Sequence, residues 1–121
     1  MPLHITARDD YILVEPEIGM DYWEIIDGLL KIFSMPEFED RGDIWVFRDG
    51  PMQMLYTDIY KIHDVAVKFY PSVSRDRKTA IVTETGIQRS LATLYSKIGK
   101  NLKRQIRVFS DLKSAEKWIV A

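Results

Sequence analysis

The chain has 121 residues, of which 46% are apolar and 29% are charged, a composition typical of a single folded domain. It contains no cysteine, which excludes disulfides, thiolate catalysis and zinc sites with cysteine ligands. No secretory signal precedes the first predicted strand, and no apolar run approaches the ~20 residues that span a bilayer, so we expect a cytoplasmic protein.

The net charge of −1 conceals an uneven distribution along the chain. Residues 1–70 carry six basic and fourteen acidic residues, a balance of −8. Residues 71–107 carry nine basic and two acidic residues, a balance of +7. Either folding intermixes the two parts, or the protein presents an acidic and a basic face that steer a partner.

The N-terminal segment predicts a β-hairpin. Residues 4–8 and 11–16 are short runs of β-forming residues, and Asp9-Asp10 between them is typical of a tight turn. Pro16 ends the second run.

A first helix is predicted from Tyr22 to about Phe33. Asp21 is the expected N-cap, and Glu24 three residues later completes a capping box. The helical spacing predicts a buried stripe of Trp23, Ile26, Leu29, Leu30 and Phe33. It predicts a solvent-facing side of Asp21, Glu24, Asp27, Gly28 and Lys31.

Residues 43–48 read as a central strand because they include four consecutive apolar residues, as expected for a strand covered on both faces. A turn at residues 49–51 follows, and Thr57 or Asp58 would cap a second helix that runs to about Tyr70. Its predicted apolar positions are Leu55, Ile59, Ile62, Ala66 and Phe69.

The last part of the chain repeats the alternation of strand and helix. Strands are predicted at residues 78–83 and 104–109, and Asp111 would cap a final helix over residues 112–120. The helix between the two strands, which follows Gly86, has a predicted stripe of Ile87, Leu91, Leu94, Ile98 and Leu102. The inner face of the final helix is predicted to be Leu112, Ala115, Trp118 and Ile119.

The predicted order ββαβαβαβα therefore indicates the α/β class. We expect one domain over residues 1–121, with an open, mostly parallel sheet and an antiparallel edge strand.

Three segments resemble the SpoIIAA-like proteins of the STAS group, which is named after sulfate transporters and anti-sigma-factor antagonists. They are residues 43–49, residues 79–82 and the closing run 108–119, in which Ala115 is followed by Trp118. The resemblance implies a right-handed βα superhelix around a four- or five-stranded sheet. It also implies a role in protein–protein interaction, sometimes switched by phosphorylation, or the binding of a nucleotide or lipid-like molecule.

The switch of that family lies just past the Asp that ends the central strand, where a Ser is phosphorylated. The corresponding stretch here, from Asp49 to Met54, contains neither Ser nor Thr. We therefore do not expect a phosphorylation switch at this place.

The predicted ligand or partner surface follows two strand-to-helix turns. Ligands of open α/β sheets favour the carboxyl ends of the strands, and methionines and tyrosines form adaptable apolar surfaces. The candidate residues are Asp49, Gly50, Met52, Met54, Tyr56, Tyr60, Glu84, Thr85 and Gly86.

No pattern of catalytic or metal-ligating residues is recognisable. The two histidines, His4 and His63, are far apart in sequence, and His63 is expected to flank the apolar stripe of its helix. The densest basic run has only Tyr95 nearby to stack on bases, so we expect no nucleic-acid partner, and contact with a membrane at most peripheral. The run consists of Lys97, Lys100, Lys103, Arg104 and Arg107.

Two hypotheses of function are favoured, and neither requires a cofactor. An unrecognised hydrolase or transferase is the third alternative, disfavoured because no nucleophile–base arrangement is visible. The first is a non-enzymatic regulatory or interaction module that binds another protein or a second copy of itself. The second is a carrier or sensor of a small lipid-like or anionic ligand bound at the carboxyl ends of the strands. An enclosed apolar cavity would favour the second hypothesis, and an exposed patch the first.

Overall fold

A computed structural model of the chain describes residues 3–17, 19–50, 52–69, 77–102 and 104–121. Within these ranges the strands are β1 (Leu3–Ala7), β2 (Tyr11–Pro16), β3 (Met20–Asp21), β4 (Gly42–Phe47), β5 (Met52–Gln53), β6 (Lys78–Thr83) and β7 (Gln105–Phe109). The α-helices are α1 (Tyr22–Phe33), α2 (Tyr56–Phe69), α3 (Gly86–Ile98) and α4 (Leu112–Ile119). Short 3-10 helices cover Pro36–Glu39 and Gly99–Leu102.

Five strands form one sheet in the order β1-β2-β4-β6-β7. β1 is antiparallel to β2, and the other neighbours in this sheet are parallel. The predicted α/β class, with a mostly parallel sheet and an antiparallel edge strand, is thereby confirmed. The sequence did not predict the separate parallel pair of β3 and β5, because two-residue strands are too short to show a periodicity.

The two faces of the sheet carry different numbers of helices. α1, α2 and α3 cover one face, and their apolar side chains join Trp45 and Phe47 of β4 in the larger core. α4 covers the other face, where Ala115 and Ile119 pack against Ile44. The prediction that the strand at residues 43–48 is covered on both faces is confirmed, since Trp45 is 4% exposed and Ile44 is fully buried.

The predicted buried stripe of α1 is wrong in part. Trp23 is 74% exposed, whereas Glu24 and Gly28, which were expected to face solvent, are buried. Leu30 is also mostly outside the core, and the buried apolar residues of α1 are Ile25, Leu29 and Ile32. The reason is a close approach to the sheet: a Cβ placed on Gly28 would lie 2.9 Å from the ring of Trp45. The helix therefore turns its smallest residue toward the sheet.

The apolar positions predicted for α2 and α3 are confirmed at the centres of the helices and wrong at both ends of α2 and at the start of α3. Ile59, Ile62, Ala66 and Leu91 are buried as predicted. Leu55, Phe69 and Ile87 were predicted to be core residues but are 71%, 50% and 68% exposed. Each of the three lies next to or within a terminal turn of its helix, at the margin of the sheet.

None of the helices in the described ranges is long and apolar enough to cross a membrane.

Candidate functional site

Four parallel strands end at the same edge of the sheet, and the helices that follow them begin there. β2, β4, β6 and β7 have a common direction, so their carboxyl ends share one edge. Local hydrogen bonds fix three of the helix starts at this edge. Asp21 accepts the backbone N–H of Glu24, Thr85 accepts that of Gln88, and Asp111 accepts that of Ser114.

The helix starts expose large apolar side chains, which we call the carboxyl-edge patch. Its members are Trp23 at the start of α1, Leu55, Tyr56 and Tyr60 at the start of α2, and Ile87 in the first turn of α3. Their exposed fractions are 74%, 71%, 62%, 52% and 68%, in that order. Single exposed apolar residues are ordinary, but a row of them is typical of an interaction surface.

The sheet topology places the members of the patch side by side. Asp21 pairs with Gln53 in the parallel β3–β5 ribbon. Trp23 lies two residues after Asp21, and Leu55 lies two residues after Gln53, so the two patch members are neighbours. Tyr56 in turn lies across a groove from Gly86, the residue before Ile87. The patch therefore extends across the starts of α1, α2 and α3.

Buried polar side chains hold the loops beneath the patch. Gln88 is 2% exposed, accepts the backbone N–H of Glu84 at 3.1 Å and donates to the carbonyl of Arg48 at 2.9 Å. Glu24 accepts the backbone N–H of Glu17 at 3.1 Å. These bonds link the loops after β2, β4 and β6 to the helix starts, so the patch rests on a fixed base.

The carboxyl edge carries an excess of negative charge. Glu17, Asp49 and Glu84 are exposed there, and Asp21 and Asp58 are half-buried. The nearby cations are partly neutralised, since Arg48 lies 3.4 Å from Glu15 and Lys61 lies 3.7 Å from Asp58. At the far end of the edge, hydrogen bonds from Ser114 lower the pKa of the Asp111 carboxyl. The patch thus has an acidic rim except beside the start of α3, where Arg89 is exposed.

The structure brings most of the predicted site residues to this edge. Asp49, Gly50, Tyr56, Tyr60, Glu84 and Gly86 are all exposed there, and Thr85 is half-buried as the cap of α3. The prediction that Met54 is exposed is wrong, because it is 8% exposed and packs in the larger core. The prediction for the Met52 side chain lies outside the described residues.

Three members of the patch escaped the sequence prediction of the site. Trp23, Leu55 and Ile87 were taken as core residues because they fit a helical apolar spacing. Their position in the sequence could have predicted their exposure, because each lies within two residues of the start of its helix. Helix starts lie at the margin of the sheet, where an apolar side chain can remain uncovered.

A groove of about 370 Å³ runs along the surface between α2 and α3. It is lined by Tyr56, Gly86, Arg89, Ser90, Thr93, Leu94 and Lys97. Among the residues that the structure describes, no carboxylate forms an ion pair with Arg89 or Lys97. The groove is therefore a positively charged depression with an aromatic ring at one end.

A smaller cavity of about 70 Å³ lies between the sheet and helices α1 to α3. Its lining is mostly apolar and includes Met20, Met54, Ala66 and Ala92. Pockets that bind small molecules usually measure about 300–1,000 Å³, so this cavity is too small for a lipid-like ligand.

The basic run predicted from the sequence does not form one surface. Arg104 is 7% exposed and forms an ion pair with Asp43 at 2.5 Å. Its Nε also donates a hydrogen bond to the hydroxyl of Thr79 at 2.6 Å. Lys97 and Arg107 belong to different elements, α3 and β7, and Lys103 lies outside the described residues. The fold thus buries one member of the run and separates others.

The histidines are placed apart. His4 lies 3.6 Å from Glu17 at the exposed surface of β1. His63 is half-buried on α2, as expected for a residue that flanks the apolar stripe, and its Nε2 has no hydrogen-bond partner among the described residues.

No protein-family model, curated protein or solved structure matches the chain. The class that the structure defines is an α/β protein with a five-stranded, mostly parallel sheet.

Proposed function

We propose that the chain is a non-enzymatic, cytoplasmic protein-interaction module of the SpoIIAA-like kind and that its partner docks on the carboxyl-edge patch. The observation that carries the proposal is the exposure of five large apolar side chains at the starts of three adjacent helices. Leaving apolar area in water forfeits roughly 25 cal/mol per Å², which a partner that covers the patch would recover.

The order of the strands supports the assignment to the SpoIIAA-like fold. β2, β4, β6 and β7 lie side by side in the sheet in the order in which they occur in the chain, as the turns of a βα superhelix would. The short strands β3 and β5, which occur between them in the chain, form a separate pair. Three members of the patch, Leu55, Tyr56 and Tyr60, follow the turn after β4, where the resemblance expects the interaction surface. Because residues 49–54 contain no hydroxyl, binding at this turn would not be switched by a phosphate there.

The acidic rim indicates the chemistry of the partner. A protein surface with an apolar centre and basic residues around it would complement both parts of the site. The same rim would repel an anionic membrane. We therefore propose a protein partner and not a lipid surface.

The proposal is tested by patch variants measured against a purified partner. The partner would first be identified by cross-linking in native cells and its affinity then measured by biolayer interferometry. We expect Trp23→Ser and Ile87→Ser each to weaken binding by about 30-fold or more, the usual loss on truncating a central interface residue. The melting temperature should barely change, because both side chains are exposed.

Val67→Ser and Val120→Ser are the matched controls. Both residues are apolar and more than half exposed, but they lie near the ends of α2 and α4 and not at the patch. Equal binding by the patch variants and the wild type would contradict the proposal. The proposal would also be contradicted if the chain bound phosphatidylserine vesicles more strongly than the partner. It would be contradicted as well if the only effect of the patch variants were to dissociate a dimer of the chain.

The groove between α2 and α3 supports a second candidate function, the sensing of a small anion with an aromatic or apolar body. Arg89 and Lys97 line this open surface groove about 12 Å apart along α3, and the ring of Tyr56 lines it as well. Phenyl phosphate, inorganic phosphate and benzyl alcohol would be titrated against ¹⁵N-labelled protein. We expect phenyl phosphate alone to shift the amides of Ser90 and Thr93.

The charge-reversal variants Arg89→Glu and Lys97→Glu should abolish these shifts, whereas Lys113→Glu on α4 should not. Shifts of equal size with benzyl alcohol, or shifts that survive both reversals, would contradict an anion site.

A further inference from the structure

β7 is the last strand of the sheet and has no second neighbour among the described strands. It pairs with β6 on one side, and Gln105 donates its backbone N–H to the carbonyl of Arg77 at 3.2 Å. In a parallel ladder the residues that bond to the neighbour alternate with those that point away. Arg107 and Phe109 therefore also face β6, while Ile106 and Val108 direct their N–H and C=O groups outward. No hydrogen bond from the described part of the chain reaches these four groups.

The side chains beside this edge form a cationic aromatic surface on the face that α4 covers. The guanidinium of Arg107 lies 5.5 Å from the ring centre of Phe109 and 5.8 Å from that of Trp118. Lys78 approaches the same Trp118 ring at 5.2 Å. Among the described residues, no carboxylate forms an ion pair with Arg107. Arg107 therefore places a cation at the middle of the open strand, with no carboxylate paired to it in the described ranges.

We propose that β7 accepts an extended acidic segment of a partner protein as a sixth strand of the sheet. The two donors and two acceptors of Ile106 and Val108 would bond to the backbone of that segment. An Asp or Glu opposite Arg107 would lie within reach of its guanidinium, since facing side chains on paired strands are ~5 Å apart at Cβ. This surface is separate from the carboxyl-edge patch, so it is independent of the function proposed above.

The charge at Arg107 also selects against a second copy of the chain as the occupant. Antiparallel pairing of two β7 strands centred on this residue would place one Arg107 directly opposite the other. Like charges in facing positions destabilise a sheet. An acidic partner strand avoids this repulsion and supplies a counter-charge to Arg107.

The test uses two synthetic peptides and the full chain. The first is acetyl-Ser-Val-Thr-Val-Glu-Val-Thr-amide, and the second has Lys in place of Glu. Binding is followed by amide shifts and by slowed amide hydrogen exchange at Ile106 and Val108. We expect the Glu peptide to bind at least tenfold more tightly than the Lys peptide and to protect both amides.

A charge swap separates this role from a purely structural one. Arg107→Glu should reverse the preference, so that the Lys peptide binds more tightly than the Glu peptide. Val108→Pro removes one outward N–H while keeping the bonds to β6, and it should abolish binding of both peptides. Unchanged amide shifts in β4 would show that these variants remain folded.

Three outcomes would overturn the proposal. The first is a peptide preference that survives Arg107→Glu, and the second is a set of shifts confined to β1, the opposite edge of the sheet. The third is a concentration-dependent dimer in analytical ultracentrifugation that Val108→Pro dissociates, which would make a second copy the occupant.

Discussion

At the scale of single residues, Trp45 makes several kinds of contact in the larger core. Its indole N–H donates to Asp43 at 2.8 Å, its ring stacks on Phe47 with centroids 6.1 Å apart, and α1 approaches it through Gly28. Trp45→Ala should therefore lower the free energy of unfolding by about 3–5 kcal/mol, as truncations of buried aromatic residues do. Urea denaturation would measure the change.

Trp45→Phe is the control for this prediction, because it keeps an aromatic ring and loses only part of the volume and the N–H. It should cost less than Trp45→Ala. An unfolding free energy that is the same for the wild type and Trp45→Ala would contradict the assigned burial.

The buried pair of Asp43 and Arg104 gives a second prediction at this scale. Each side chain is 3% exposed, and the Asp43 carboxylate also accepts hydrogen bonds from Trp45 and Thr79. Arg104→Met would leave a buried carboxylate without its cation, so we expect a loss of about 3–5 kcal/mol in urea denaturation.

Adding Asp43→Asn to Arg104→Met should recover part of that loss. The neutral amide needs no cation, and its oxygen can still accept hydrogen bonds. If the double variant is no more stable than Arg104→Met alone, the loss comes from packing of the arginine, whose guanidinium lies 4.7 Å from the Phe38 ring centre.

At the scale of elements, the contact between β2 and α4 depends on a tyrosine hydroxyl. Tyr11 donates to Glu116 at 2.5 Å, across 105 positions of sequence. Burial, together with the nearby Glu116 carboxylate, raises the pKa of Tyr11 to about 12 from its usual 10.0.

This shift predicts a loss of stability at alkaline pH. Between pH 10 and 12 the unfolded chain releases the Tyr11 proton and the folded chain retains it, so the folded state binds more protons. The contribution of Tyr11 to the free energy of unfolding therefore falls as pH rises, by up to about 1.4 kcal/mol per pH unit. In Tyr11→Phe this contribution is missing, so the stability difference between wild type and variant should shrink over this range.

The prediction is checked by urea unfolding of both proteins from pH 8 to pH 11.5. Ultraviolet titration of the tyrosinate band would report the ionisation itself. Parallel stability curves for the two proteins throughout this range would show that Tyr11 ionises in the folded state as it does in the unfolded chain.

At the scale of the whole molecule, packing is unequal on the two faces of the sheet. The face covered by three helices contains the cavity of about 70 Å³, and Ala66 of α2 lines it. At roughly 24 cal/mol per Å³, a void of this size costs about 1.7 kcal/mol. Filling it should therefore stabilise the protein.

Ala66→Val adds two methyl groups toward the cavity. We expect a net gain of about 1 kcal/mol after the lower helix propensity of valine is allowed for, measured as a rise in melting temperature. Ala115→Val is the matched control, because Ala115 is fully buried on the other face and does not line this cavity. It should destabilise the protein by overpacking. Equal effects of the two substitutions would argue that the cavity is closed in solution.

The arrangement of charges is also a property of the whole molecule. The sequence left open whether folding would intermix its acidic and basic parts. The carboxyl edge gathers carboxylates from the acidic part, together with Glu84 from the basic part, around the patch. One cation of the basic part, Arg104, is withdrawn into the core, so folding redistributes the charge pattern of the chain.

Local interactions allowed the sequence to predict the order of the four helices and of the five strands of the main sheet, and most helix starts. Asp21 and Asp111 accept hydrogen bonds from backbone N–H groups three residues away. The strand that contains Trp45 is indicated by a continuous apolar run. Such signals depend on neighbours in sequence, so they are readable without the fold. The Asp49 and Glu84 turns of the candidate site were found in the same way, since they follow predicted strands.

Contacts between distant residues were decided by the tertiary structure alone. α1 has apolar residues around much of its circumference, and the close approach of Gly28 to Trp45 selects which of them are buried and leaves Trp23 outside. Met54 enters the core, and Arg104 finds Asp43 across 61 positions of sequence. A helical spacing defines an apolar side without specifying the surface it meets, and that surface decides which residues remain exposed for a partner.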